Sequence, residues 1–283
     1  MFEYLGVQIG RKLRTVRGTV KLLKVRKMAK GDLLNIDNNP KTRKGTKRAV
    51  RTAIMYLAAS DMSGWNVCQY ASAGCRAACL VFAGMAAVYA SINQARINRA
   101  RRFFKERATF MARLVFETER HVIESVAHNM LAAVRLNGTA DLPWERIPCE
   151  RGGVKYASIF EAFADDPVTF YDYTKAPASK RRNLPDNYSL TFSLSEDNHP
   201  DAIDWLAAGG NVAVVFDTKT FPGKTLPATF WGYRVIDADG DDARFLDPEN
   251  VIVGLKAKGL AKTDDSGFVI KYADALSALA IAA

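Results

Sequence analysis

Three cysteines fall within twelve residues, in Asn66-Val-Cys68-Gln-Tyr-Ala-Ser-Ala-Gly-Cys75-Arg-Ala-Ala-Cys79, a C-x6-C-x3-C spacing. On a loop, three such side chains can converge on one centre, and Gly74 is expected to give the chain freedom to turn back. Soft thiolates suit iron–sulfur clusters and zinc. Three of them can hold a four-iron cluster with one iron left open to a substrate or cofactor. Zinc would need a fourth ligand from Cys149 or from His121, His128 or His199, none of which falls at zinc-finger spacing. The plain alternative makes Cys75 and Cys79, one helical turn apart among alanines, small core residues. Ligation is the expectation, at Cys68, Cys75 and Cys79, with iron–sulfur ahead of zinc.

A second set of polar groups follows the expected strands. Asn137, Gly138, Thr139 and Asp141, with Trp144 and Glu145, come after one apolar run. Asp172 and Lys175 come after the next, and Ser193, Ser195 and Glu196 after the one beyond. In parallel α/β folds, ligands bind at the C-terminal ends of the strands. Parallel strands would bring these groups to one rim, where Lys175 beside Asp172 and Glu196 could bind an anion or move a proton. The bland reading is capping of the helices that follow.

The elements that would position these groups form an α/β pattern. Strands are expected at 51–57, 134–137, 168–173, 189–193, 212–216, 233–236 and 251–255. Several, such as VAVVF, are apolar on both faces, as in a parallel sheet covered on both sides. Helical periodicity runs from about 86 to 131, long enough for two helices, and recurs at 154–163, 200–208 and 274–283. The fold expected is a partial (β/α) barrel of about six mostly parallel strands at 51–283, with the cysteine loop at 66–80, behind a basic N-terminal arm at 1–50. That arm would include a short hairpin at 7–9 and 16–25.

The charge is uneven. The chain of 283 residues carries a formal +10, yet residues 1–50 hold fourteen Lys/Arg against three acids, leaving the remainder near neutral. A local basic segment favours a polyanion, and Lys41, Arg43, Lys44, Lys47 and Arg48 are the candidate nucleic-acid contacts. The arginine-dense stretch 96–107 could also face phosphates, although a solvated face over an aromatic core is the simpler reading. Asp237, Asp239, Asp241 and Asp242 crowd one hexapeptide. They could serve a metal-dependent nuclease, but a solvated turn around Gly240 is expected. No apolar run approaches the ~20 residues that span a bilayer, and no secretory leader is evident. A cytoplasmic protein without membrane contact is expected.

The segments Asn66-Val-Cys68, Ala71-Ser-Ala-Gly-Cys75, Val134-Arg-Leu-Asn-Gly-Thr-Ala-Asp141, Phe170-Tyr-Asp-Tyr-Thr-Lys175, Leu190-Thr-Phe-Ser-Leu-Ser-Glu196 and Asn211-Val-Ala-Val-Val-Phe216 resemble the bacteriophage "gene product 88" family. This resemblance implies a phage origin, hence the cytoplasm of an infected host, and little about activity. The order of strand, three-cysteine loop, helix and further strands is architecturally similar to radical S-adenosylmethionine enzymes. There the cluster loop follows the first strand, and a Gly-rich turn after the second receives the cofactor. By that likeness Asn137, Gly138, Thr139, Asp141, Ser193 and Ser195 would surround S-adenosylmethionine. The spacing differs from the usual C-x3-C-x2-C, and Ala78 stands where an aromatic is usual. The functions in view are thus an iron–sulfur enzyme acting on nucleic acid or a nucleotide-derived substrate, a non-catalytic nucleic-acid binder with zinc or no metal, and a metal-dependent nuclease.

Overall fold

The apolar runs pair side by side in the computed structural model, which describes residues 33–36, 40–181 and 183–281. In chain order the strands are β1 (Leu34–Ile36), β2 (Val50–Met55), β3 (Leu131–Arg135), β4 (Cys149–Arg151), β5 (Val154–Tyr156), β6 (Val168–Thr174), β7 (Tyr188–Ser193), β8 (Val212–Phe216), β9 (Thr229–Phe230), β10 (Tyr233–Asp237), β11 (Ile252–Lys256) and β12 (Val269–Ile270). The helices are α1 (Pro40–Gly45), α2 (Ala73–Ala77), α3 (Met85–Val88), α4 (Ala90–Lys105), α5 (Arg107–Ala127), α6 (Ile159–Ala162), α7 (His199–Ala207) and α8 (Tyr272–Ile281).

One ten-stranded sheet runs β1-β2-β3-β6-β7-β8-β11-β10-β9, with β12 also beside β8. The stretch from β2 to β10 along this path is parallel throughout, while β1 and β9 pair antiparallel at the two ends. The expectation of a largely parallel α/β sheet therefore holds. The sheet is larger than the six strands expected and mixed at its edges, and among the described residues its strands form an open path rather than a closed barrel. From β2 to β8 the parallel strands keep chain order, so right-handed crossovers all return over the same face.

That face is covered by the long helices. Ala53, Met55, Val134, Phe170 and Leu190 meet Phe103 of α4 and Phe110 and Leu114 of α5. The 86–131 region does hold two main helices, broken at Glu106 (φ −130°, ψ 44°). Neighbouring residues on a strand point to opposite faces, so Tyr171 joins Val50 and Ala133 on the far side, against Phe245. Here the acidic hexapeptide departs from a solvated turn. Asp242 is buried and pairs with Arg135 at 3.1 Å, and the Tyr171 hydroxyl donates to it at 3.0 Å. An inward arginine on β3 needs a buried counter-charge, and the turn after β10 supplies it.

Other expectations shift. Residues 154–163 form β5 and the short α6 rather than one helix, and β3 starts three residues earlier than the apolar run suggested. The hairpin expected at 7–9 and 16–25 lies outside the described residues. Among those described, no helix is long and apolar enough to cross a membrane.

The sheet forks at its C-terminal side. β7 and β8 pair only through Phe192 with Val212 and Ser193 with Ala213. Beyond that point β12 takes over beside β8, through Val269 with Val215 and Ile270 with Phe216. Residues 264–270 thus enter the gap between β7 and β8, next to the cysteine segment.

Candidate metal centre

Cys75 lies in α2, a single turn whose start is held from a distance. Ser72 caps it, its Oγ accepting from the Cys75 N–H at 3.1 Å. Glu196, just after β7, accepts from the Ser72 hydroxyl at 2.7 Å and the Gly74 N–H at 2.6 Å. Gly74 does not serve as a turning point. It is helical, and a Cβ there would stand 2.1 Å from Ser266 Oγ and 2.8 Å from Phe268 Cβ. Glycine is required because the inserted 264–270 segment packs directly against the cysteine helix.

The three half-buried thiols of Cys68, Cys75 and Cys79 line one cavity of about 170 Å³, together with Ser60, Met62 and Phe82. They are not dispersed among aliphatic side chains, as small core residues would be. The Ser60 N–H donates to Cys68 Sγ at 3.3 Å, and the nearby Val81 and Leu80 N–H groups favour the Cys79 thiolate. Two cations stand close, Lys175 beside Cys75 and Arg96 beside Cys79. Burial pushes the Cys68 thiol up to about 12 and raises Cys75 and Cys79, against the pull of those cations. The thiols therefore hold their protons at neutral pH, and a metal would have to displace them to bind.

The described donors are not drawn together as a single-ion site. A tetrahedral zinc with Zn–S of ~2.3 Å would draw thiolates to about 3.8 Å from one another. Among the described residues no three His, Cys, Asp or Glu side chains stand as ligands of one ion. The cavity also exceeds the ~10–15 Å³ that one water requires. The residues considered for a fourth zinc ligand are engaged elsewhere. Cys149 is buried in the β4–β5 hairpin, His121 faces the Arg51 and Ala133 carbonyls, His128 the Glu124 carbonyl, and His199 the Trp231 ring.

The polar strand ends divide into two groups. Lys175 and Glu196 reach the cysteine helix. The Lys175 ammonium, buried below β7, donates to Ser193 Oγ at 2.8 Å and to the Ser193 and Leu194 carbonyls at 3.1 Å. Asp141 joins them. Its backbone bridges to Cys68, one carboxylate oxygen accepts from the Lys175 N–H at 2.8 Å, and the other pairs with Arg181 at 2.7 Å. By contrast, Asn137 and Thr139 close their own loop. Asn137 Oδ1 accepts from the Leu142 N–H and the Trp144 indole, both at 3.0 Å, and the Thr139 hydroxyl donates to the Leu57 carbonyl. Gly138 lies so near β2 that a Cβ would meet the Met55 carbonyl at 2.6 Å. The Ser195 hydroxyl donates to Asp197 at 2.9 Å.

Asp172 belongs to neither group. It is buried, accepting from the Asn137 N–H at 2.7 Å and the Tyr188 hydroxyl at 3.2 Å. Burial, opposed by Arg135, pushes its carboxyl from 3.8 up to about 7. The folded state thus binds this proton more tightly than the unfolded chain does. Its contribution to stability is complete below about 4 and is lost as pH rises towards 7. His121 works in the opposite sense, since burial lowers it from 6.5 to about 4 and its contribution fades as pH falls through that window. Subtraction separates the two. Asp172→Asn should gain stability relative to the unmodified protein between about pH 4 and 7, measured by urea denaturation at several pH values. A difference that stays constant with pH would refute protonation of Asp172.

The chain matches the family model described as "Gene product 88" over residues 28–272. It belongs to the Gene product 88 family. No curated protein and no solved structure matches it. The phage-family resemblance read from the motifs is thereby shown.

In this Gene product 88 chain the described part of the basic segment meets the acidic turn. Arg48 pairs with Asp241 at 3.1 Å, and the Lys44 ammonium lies 3.4 Å from the Asp239 carbonyl. Arg43, Lys44, Lys47 and Arg48 are exposed, and the side chain of Lys41 lies outside the described residues. Asp237 and Asp239 pair with Lys256 and Lys258, and Asp241 also meets Arg244, so each acid is engaged by its own cations and the four do not converge on one point. The residues that sequence reasoning missed are Arg96, Arg181 and the 264–270 segment. Arg96 lies on α4, separated from the cysteines by α3 and the turns around it, so no local spacing relates them. Arg181 sits in Lys180-Arg181-Arg182, which looks like a solvated run, and nothing local marks it.

Proposed function

We propose that the cavity holds an iron–sulfur cluster on Cys68, Cys75 and Cys79 and that this Gene product 88 protein acts through it on nucleic acid or a nucleotide-derived substrate. The observation that carries the reading is three thiols lining one cavity, flanked by Lys175 and Arg96, at the C-terminal end of a parallel sheet. The two cations offset the negative charge that three thiolates bring, and the N–H groups aimed at sulfur tune their basicity. Cys68, Cys75 and Cys79 would hold such a cluster, which when bound would supply single-electron chemistry at the cavity. In the radical reading S-adenosylmethionine would be the co-substrate taken up at this cavity. Asp141, Lys175 and Glu196 are the groups of this chain able to bind its polar atoms or hold a proton beside it.

Anaerobic reconstitution with iron and sulfide tests this directly. The expected product is brown, with about four irons and four sulfides per chain. Cys68→Ala, Cys75→Ala and Cys79→Ala should each lose most of that iron while keeping the far-ultraviolet circular dichroism of the parent. A colourless, iron-free product would sink the proposal, and stoichiometric zinc would replace it with the structural-metal reading. Cleavage of S-adenosylmethionine on reduction decides the radical form.

A further inference from the structure

Trp65, three residues ahead of Cys68, is 36% exposed, although tryptophan is usually well buried. Its indole lies flat on Phe104 of α4, with ring centroids 5.1 Å apart and planes within 8°. Arg101, Phe104 and Lys105 stand at i, i+3 and i+4 and so share one face of that helix. The Arg101 Nε–H donates to the Ser63 carbonyl at 3.2 Å, which ties the Trp65 turn to α4, and the Lys105 ammonium stands 6.0 Å from the indole. Helix α4 carries no carboxylate, and residues 96–107 hold six cations against Glu106 alone. Among the described residues no carboxylate pairs with Arg101, Arg102 or Lys105. A rigid flat ring at the surface, fixed from below and flanked by Arg101 and Lys105, neither paired with a carboxylate among the described residues, matches the chemistry of an unstacked base between phosphates.

We infer that this ledge binds single-stranded nucleic acid, with a base stacking on Trp65 and Arg101, Arg102 and Lys105 taking the adjoining phosphates. A duplex hides its base faces and offers the indole nothing to stack on. An acidic protein would use the cations but not the ring. The ledge deepens the substrate half of the function proposed above and rests on that reading for its purpose: Met62, on the same loop as Trp65, lines the cysteine cavity, so a strand held here passes its mouth. Binding itself requires no cluster.

Fluorescence anisotropy on the full chain tests it, using labelled oligothymidylate and oligouridylate of about 20 nucleotides and a duplex of equal length. The basic N-terminal segment contributes a salt-sensitive background, so differences between variants are what is read. Trp65→Ala should weaken single-strand binding about tenfold and leave duplex binding unchanged. Arg102→Glu with Lys105→Glu should reduce the salt slope for single strands by about 1.4. A Trp65 effect confined to one oligonucleotide assigns the ledge to DNA or to RNA. Equal affinity of the Trp65 variant and parent for both single strands would overturn the inference. So would competition by polyglutamate as effective as by oligonucleotide, which points to an acidic protein. If the Trp65 variant fails to fold, an unchanged salt slope in the charge-reversed pair overturns it. Loss of the iron–sulfur reading with Trp65-dependent binding intact leaves the ledge standing, and the reverse result removes the ledge alone.

Discussion

Arg181→Ala is expected to destabilise the protein by about 3–5 kcal/mol. The Arg181 side chain is only 2% exposed and its guanidinium pairs with Asp141 and Glu145, each at 2.7 Å. Removing it strands two enclosed carboxylates without a counter-charge, the costly way to break an interior ion pair. Arg181→Lys would keep the charge but lose the fork that meets both carboxylates, so an intermediate loss is expected. Urea denaturation measures both variants. A loss below about 1 kcal/mol for the alanine variant would mean that water reaches the carboxylates and that the network is surface-like. The effect should reach the cysteines as well. Asp141 bridges to Cys68 through the backbone and accepts the Lys175 N–H. Iron uptake should therefore fall in Arg181→Ala even at temperatures where the chain stays folded.

Trp144→Ala should cost a similar amount, about 3–5 kcal/mol. Trp144 has no exposed surface, stands 5.2 Å from the Phe103 ring and donates its indole N–H to Asn137. Truncation opens a large void and deprives Asn137 Oδ1 of a donor. Trp144→Phe, which retains most of the ring, should lose markedly less. Denaturant midpoints at unchanged slope would confirm the ranking, whereas equal losses for Ala and Phe would show the hydrogen bond, not the volume, to dominate. Both changes loosen the 137–145 loop, so the double variant with Arg181→Ala should fall short of the sum.

The parts of the fold that were readable came from local pattern. VAVVF is apolar on both faces and becomes β8, inside the parallel sheet. The helical period between 86 and 131 becomes α4 and α5, and the three closely spaced cysteines line one cavity. What was not readable depends on partners far along the chain. Trp144 and Asn137 looked like rim residues because they follow a strand, yet their contacts with each other and with Phe103 place them in the core. The acids 237–242 looked solvated because nothing nearby announces that Arg135, more than a hundred residues earlier, faces the same interior. Gly74 looked like a hinge because its true constraint, Ser266 and Phe268, lies near the other end of the sequence.

That last separation affects the order of events as the protein is made. The thiols belong to the first third of the chain, but Glu196 and the 264–270 segment that press on their helix leave the ribosome much later. Until then the cysteines remain open to the cell's metal and oxidant supply. Any centre they carry is enclosed only once the C-terminal part has arrived and folded into the fork of the sheet.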